Sequence, residues 1–252
     1  MTTKDGITFI HQSENRNLEP SAEGLGLPQP PLELPFDNSK PIIKLPHVED
    51  LSIPKADFLT TVEQRLTLRR YREAPLSLPE LTYLLWCTQG VKRVTARPVT
   101  MRTVPSGGAR HPFETYLVIS RVTGLEPGLY RYLAIDHSLL QLEYGSQFAE
   151  RISEACLKQQ HIRDCPVSFW WCAVPDRSTW RYSTRGYRYM LLDAGHICQN
   201  LYLSADVIDC GVCAIGAFDD TALNGFWGLD GINQFMIYGA SLGKKPADVN
   251  KG

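Results

Sequence analysis

The stretch "TVPSGGARHPFETYLVIS", Thr103 to Ser120, decides how the chain is read. Its second half, Tyr116, Leu117, Val118 and Ile119, is a β-branched and aromatic run that fits a buried strand. Its first half has no packing rationale. A proline, a serine and two glycines bring backbone N–H groups to the surface just ahead of that strand, with Arg110 and His111 beside them, and small residues there let another group approach the backbone.

Working outward, the strand predicted over 114–122 is followed by strands over 128–134 and 139–144, separated by "IDHS" and read as a hairpin. A helix over 146–158 and the strand "PVSFWWCAV", 166–174, come next. The segment "RGYRYMLLDAGHICQNLYLSADVIDCG" is helix-forming and apolar on nearly every face, through Met190, Leu191, Ala194, Ile197, Cys198, Leu201, Leu203 and Ala205. Such a helix is buried inside a domain or across a subunit interface. "QFMIYGAS", 234–241, reads as a closing strand. Upstream, "SLPELTYLLWCTQG" carries a capping box from Ser77 and Glu80, Pro79 in the first turn, an apolar face of Leu81, Leu84, Leu85 and Thr88, and Gly90 as the stop. A helix is also expected over 59–70, with Val62, Leu66 and Arg70 on one face. Helices and strands mix without a strict βαβ rhythm, which predicts an α+β sandwich with helices on both faces of a mixed sheet.

Of 252 residues, 43% are hydrophobic and 21% charged, enough for one large domain, expected over 57–252. Residues 1–56, with "LGLPQPPLELPFDNSKPIIKLP", are proline-rich and aperiodic and predict an extended arm that lies on its own domain or wraps a partner. A formal net charge of −1 gives no footprint for nucleic acid or an anionic membrane. No run of about 18 apolar residues and no signal-peptide pattern is present, so a soluble, cytoplasmic protein is expected. Seven cysteines leave one unpaired in any disulfide scheme. "CGVC", Cys210 to Cys213, is compatible with a redox pair or half a zinc site, but no second CxxC or HxxxH completes a tetrad. The preferred reading is a helix ending at Gly211 and entering a buried strand, with no metal.

Four pieces in this order, "RLTLRRYREAPLSLPELTYLLWCTQG", "RTVPSGGARHPFETYLV", "RGYRYMLLDAGHICQNLYLSA" and "CGVCAIGAFDDTALNGFWGLDG", resemble the SagB-type dehydrogenase branch of the nitroreductase-like flavoproteins over roughly residues 60–246. The resemblance implies a nitroreductase-like three-layer sandwich, a homodimer with two interfacial sites, and one FMN in each. By the same resemblance, Arg65, Thr67 and Arg69 match the motif that contacts phosphate, ribityl and pyrimidine groups, a role suited to guanidinium forks and a hydroxyl. Pro105, Ser106 and Gly107 match the segment that packs against the flavin, commonly from the neighbouring subunit. Arg110 and His111 fall on the substrate side, with a locally bonded strand-start role equally open for His111. Ile215, Gly216 and Ala217 match the loop whose backbone N–H reaches the flavin N5, and Lys244 or Lys245 matches the late basic segment near the phosphate.

Azoline-oxidising members of the branch carry a Lys-Tyr pair just before the long helix; here the pair is Arg181 and Tyr182. Arginine stays protonated and makes a poor general base, which leaves Tyr182 as proton donor or acceptor. Tyr182, Tyr187 and Arg185 are also candidates for binding an anionic or aromatic substrate. His196, Asn200 and Asp193 read as structural polar groups of the long helix. The implied activity is hydride transfer through flavin N5, either oxidising a modified peptide or small molecule or reducing a nitro, quinone or enone acceptor with NAD(P)H as a transient reductant. A catalytically weak flavin-binding scaffold of a biosynthetic complex is the alternative.

Overall fold

The computed structural model describes residues 3–248; residues 1–2 and 249–252, the outer ends of the predicted arm and domain, lie outside it. In the arm, α1 (Lys4–Gln12) buries none of its side chains and β1 (Ile42–Lys44) forms one edge of the main sheet. Next, α2 (Phe58–Gln64) starts at Asp57, whose carboxylate accepts from Thr60 N at 2.9 Å. The helix expected over 59–70 ends early. From Arg65 (φ −54, ψ 119) the chain is extended, Leu68 N donates to Val212 O at 2.9 Å, and Thr67 makes a parallel bridge to Val212. Pairing with a strand edge outcompetes helix propagation here, so Val62, Leu66 and Arg70 share no helical face.

The capping box forms as expected. β2 (Leu76–Ser77) leads into α3 (Leu78–Gln89), where Glu80 N donates to Ser77 Oγ at 3.3 Å and Ser77 N to Glu80 Oε2 at 2.8 Å. Gly90 stops this helix for a reason other than a left-handed turn. Its φ is −55, and a Cβ there would lie 2.5 Å from the Trp86 ring. A short hairpin, β3 (Val91–Val94) with β4 (Thr100–Arg102), then delivers the chain to the Thr103 loop.

Beyond that loop run β5 (Phe113–Ile119), β6 (Val122–Thr123), β7 (Gly128–Leu133), β8 (Ser138–Tyr144), α4 (Phe148–Ala155), α5 (Gln160–Asp164), β9 (Val167–Ala173), α6 (Asp176–Tyr182), α7 (Arg185–Val207), β10 (Cys210–Ile215), α8 (Asp220–Trp227) and β11 (Phe235–Lys244). The main sheet has the order β1-β8-β7-β5-β9-β11-β10, and all its ladders are antiparallel. Its parallel component is the Thr67–Val212 bridge; β2 and β6 form a separate parallel pair. The predicted closing strand thus lies inside the sheet, between β9 and β10. Gly211 is a strand residue, not a helix stop: a Cβ there would sit 2.2 Å from the Leu68 side chain, so glycine lets the 65–69 segment dock on β10.

Period-2 alternation sends the two faces of the sheet into two cores. Phe113, Leu117, Ile119 and Trp171 face α3 and α7 with Leu81, Leu84, Met190, Ala194 and Leu201. Tyr116, Val118 and Trp170 face α4, α5 and α8 with Phe148, Ile152 and Leu223. The result is the expected three-layer α+β sandwich. On α7, Leu191 and Leu192 stay 57% and 56% exposed, and on α2 Phe58 and Leu59 are exposed as well.

Charge is buried at one end of the sheet. Glu114 pairs with Arg177 and, at 3.1 Å, with Arg131, and all three are almost fully buried. The arm completes the cluster: Arg131 donates to the carbonyls of Leu34 (2.7 Å) and Pro35 (3.1 Å), Arg177 to Pro31 (2.9 Å), and Leu34 N to Glu114 Oε1 (2.8 Å). Burial pushes the Glu114 carboxyl up, but Arg177 and Arg131 outweigh it and hold it below the usual range. Breaking a buried pair by removing one partner strands the remaining charge. Glu114→Gln is expected to cost about 3–5 kcal/mol in urea unfolding, and to make the 31–35 segment sensitive to limited proteolysis under native conditions.

Candidate functional site

The extended 65–69 segment lies along the β10 edge and presents cations outward. Arg65 is half-buried with its guanidinium over the Tyr202 ring, 5.3 Å from the centroid, while Thr67 and Arg69 are exposed. Tyr202 of α7 knits this lip together: its hydroxyl is 3.2 Å from Thr67 Oγ1 and accepts from Ala214 N at 3.0 Å. Among the described residues, neither Arg65 nor Arg69 has a carboxylate partner within salt-bridge distance. Two unneutralised guanidinia beside a hydroxyl suit a phosphate and a polyol.

Pro105, Ser106 and Gly107 lie against α7 at a different point. Ser106 Oγ donates to Asp193 Oδ2 at 2.5 Å, Gly107 N donates to Asp193 Oδ1 at 3.2 Å, and Ser106 Oγ accepts from His111 N at 2.9 Å. Gly108, Ala109 and His111 all have positive φ (59, 54 and 44), so the loop holds strained backbone where only glycine is free to adopt it. Gly107 is packed against Tyr189, and a Cβ on Gly108 would lie 2.3 Å from the Tyr182 hydroxyl. Asp193 and Tyr202 are nine residues apart on one helix, which sets the anchors of this loop and of the 65–69 lip about 13 Å apart.

Ile215 ends β10, and Gly216 and Ala217 follow it as exposed loop residues; a Cβ on Gly216 would meet only Tyr238, at 3.8 Å. A hydrogen-bond chain that runs from the interior to the surface ties this loop to the lip. Tyr71 OH is 2.7 Å from Ser241 Oγ, His161 Nδ1 is 2.8 Å from the same oxygen, His161 Nε2 is 3.2 Å from Gln159 Oε1, and Gln159 Nε2 donates to Ala217 O at 2.7 Å. Tyr71 also donates to Leu68 O at 2.8 Å.

The remaining expected residues divide. Lys244 is bonded to Glu80 and, at 2.9 Å, to Ile208 O; Lys245 is paired with Asp206, and both are nearly buried. Arg181 is paired with Glu23 of the arm at 3.0 Å and stacks over Tyr182, which in turn meets Tyr189 edge-on. His111 is 5% exposed, and its carbonyl accepts from Arg177. Burial first, then Arg102 and Arg110, push its imidazole down to about 2, so it stays neutral at working pH. Asn200 donates to Cys87 O on α3 at 2.9 Å, a structural role, whereas His196 is half-exposed.

Cys210 and Cys213 both lie on β10, three residues apart, so they point to opposite faces of the sheet and are free thiols. Among the described residues, no group of three or more His, Cys, Asp or Glu is placed to hold a metal ion, and no helix is long and apolar enough to cross a membrane. A groove of about 390 Å³ between α2, α3 and α7 is lined by Phe58, Tyr83, Trp86 and Asn200 and touches none of the expected cofactor residues. Sequence reading missed Tyr202, Asp193 as a loop anchor, and Gln159. Their only signal was polarity inside apolar or helical runs.

His111 has a folded-state affinity for protons far below that of a free imidazole. The unfolded chain therefore binds more protons between about pH 6.5 and the folded value, and stability is complete above about 6.5 and falls as pH drops. Between pH 6.5 and 5 this residue is expected to contribute a loss of about 2 kcal/mol, which His111→Gln removes from the pH profile of unfolding.

Residues 62–244 match the Nitroreductase family model. A Methanocaldococcus jannaschii protein named as a nitroreductase is 33% identical over 181 residues, 72% of this chain and 86% of its own length. The trifolitoxin-processing protein TfxB of Rhizobium leguminosarum bv. trifolii is 38% identical over 112 residues, 42% of this chain and 30% of its own length. Among solved structures, the E. coli microcin synthetase McbBCD complex matches with a TM-score of 0.60 at 17% identity, over 97% of this chain and 95% of that one, a likeness of fold alone. Family match, archaeal relative and three-layer fold agree: the chain belongs to the nitroreductase family of oxidoreductases.

Proposed function

We propose that the protein is an FMN-dependent oxidoreductase that works as a homodimer. The observation that carries this reading is the unneutralised Arg65, Thr67 and Arg69 lip on the β10 edge, with the open Gly216 loop at the end of the same strand. A flavin mononucleotide, when bound, supplies hydride acceptance and donation at its N5 atom. In this reading Arg65 and Arg69 neutralise the phosphate and hold the pyrimidine edge, Thr67 bonds the ribityl chain, and a backbone N–H from Ile215, Gly216 or Ala217 fixes N5. Lys244 and Lys245, held by Glu80 and Asp206, secure the end of β11, the strand that pairs with β10.

The second copy has a place to dock. Leu191 and Leu192 expose apolar side chains on α7, and Phe58, exposed on α2 with Leu59, lines the groove between α2, α3 and α7. Pairing two such faces would bring the Pro105–Gly107 loop of one copy toward the lip of the other, which resolves the separation of the two half-sites along α7. Exposed apolar area of this kind marks an interface.

Arg181 cannot act as the base, because it is permanently charged and committed to Glu23. In this reading Tyr182, whose hydroxyl lies against Gly108, moves the proton. The likeness to a trifolitoxin-processing protein supports a peptide as one class of substrate, oxidised by hydride loss. Reduction of a nitro, quinone or enone acceptor with NAD(P)H is the reverse use of the same site.

The first test is the visible spectrum of the purified protein and chromatography of the chromophore released by heat. About one FMN per chain is expected, and a colourless protein that takes up no added FMN would sink the reading. Loss of one charge-assisted contact in Arg69→Ala should weaken FMN binding about 10–100-fold, whereas Lys244→Met should lower stability and leave that affinity nearly unchanged. NAD(P)H oxidation no faster than with free FMN would favour the scaffold alternative. Leu192→Asp is expected to yield monomers by sedimentation and to lose FMN with them; monomers that keep FMN would place the whole site in one chain.

A further inference from the structure

A second cluster of cations stands beside the strained loop, and it is served by the arm. Glu23 Oε1 accepts from Arg97 Nη2 at 2.5 Å and from Arg181 Nη1 at 3.0 Å. Arg110 belongs to the same group: it is 5% exposed, and the charges of Arg181, Glu23 and Arg97 all act on it after burial itself. Its guanidinium stacks on the Trp180 ring at 5.3 Å, yet its buried Nε has no hydrogen-bond partner, and no side-chain hydrogen bond is made by Arg110 among the described residues.

Two guanidinia on one carboxylate, with Arg110 close by, leave an excess of positive charge and unused donors. An unpaired buried guanidinium is costly, and proteins rarely keep one without a use. The carboxylate that is present comes from a thin support. Glu23 sits in the 22–26 turn of the arm, tied to α6 by Glu23 N donating to Trp180 O at 2.7 Å and Trp180 Nε1 donating to Leu27 O at 2.9 Å. A cavity of about 360 Å³ lies at this seam, lined by Ala22, Leu27, Pro28, Pro30 and Trp180 with Asp176 and Thr179 of α6. The same Arg181 carries Tyr182, whose hydroxyl abuts Gly108.

We propose that Arg97, Arg110 and Arg181 bind a carboxylate of the substrate, and that Glu23 of the arm is the internal carboxylate that holds this site until the ligand displaces it. This deepens the oxidoreductase reading and rests on it, since it places the acidic end of the substrate beside the Ser106–Gly108 loop. The apolar seam along Trp180 takes the body of the ligand, and the bidentate preference of guanidinium for carboxylate selects acids over amides.

The test is calorimetric titration of the protein as purified with 4-nitrobenzoate and with 4-nitrobenzamide. Glu23→Gln removes the competing charge and is expected to bind the acid about tenfold tighter than the parent, with the amide unchanged. Adding Arg110→Met or the exposed Arg97→Met to Glu23→Gln should reverse that gain at least tenfold. Equal binding of acid and amide, or no change with Glu23→Gln, overturns the proposal, and the solvent-exposed Arg97 variant keeps the test open should the Arg110 variant unfold. Repeating the pair with N-acetyl-phenylalanine and its amide tells a peptide carboxylate from an aryl one; preference for either acid supports the site. FMN content read by absorbance on the same samples separates the two ideas, because charge-dependent binding by a flavin-free protein would sink the flavin reading and leave the arginine site standing.

Discussion

The buried carboxylate of Glu114 is the constraint on which the rest is arranged. It sits on β5, diagonal across the ladder from Arg131 of β7, and receives Arg177 from the first turn of α6. Two arginines on one carboxylate leave a positive remainder that the interior cannot tolerate unpaired, and the arm carbonyls of Pro31, Leu34 and Pro35 take up the spare donors. A proline-rich segment suits that task, because it stays extended and needs few hydrogen bonds of its own. Through Arg177 the cluster also fixes α6, and α6 carries Trp180, Arg181 and Tyr182 to the side of the strained loop. Arm, helix and loop are thus one electrostatic unit.

The second organising element is α7. Its inner face supplies Met190, Ala194, Ile197 and Leu201 to the core, while its polar residues act as brackets: Asp193 for the Ser106–Gly107 loop, Asn200 for α3, and Tyr202 for the 65–69 lip. A helix of 23 residues is long enough to hold two half-sites apart in one chain. That separation keeps the Ser106–Gly107 loop and the 65–69 lip at different points along one helix. The Tyr71, Ser241, His161 and Gln159 chain adds a shorter link, making the lip and the Ala217 loop two ends of one hydrogen-bond network.

Much of this was legible beforehand where local rules and tertiary packing agree. Ser77 and Glu80 form their capping box, the β7–β8 hairpin closes at "IDHS", and the apolar runs become strands filled on both faces. Reading failed where a distant partner decided the outcome. The 59–70 helix pattern lost to the β10 edge after Gln64, and Gly211 serves the docking of Leu68. Nothing in "LGKKPAD" shows that Glu80 and Asp206 pair with Lys244 and Lys245.

The amino-acid sequence by itself determined most element types and the α+β class, because these rest on periodicity, capping and turn residues within a few positions of one another. Only the tertiary structure decided which charges are spent and which remain available. Arg65 and Arg69 stay unneutralised, Arg181 and the lysines do not, His111 is buried and neutral, and Arg110 is buried without a partner. Those outcomes depend on side chains tens of residues away, and on desolvation that no local pattern encodes.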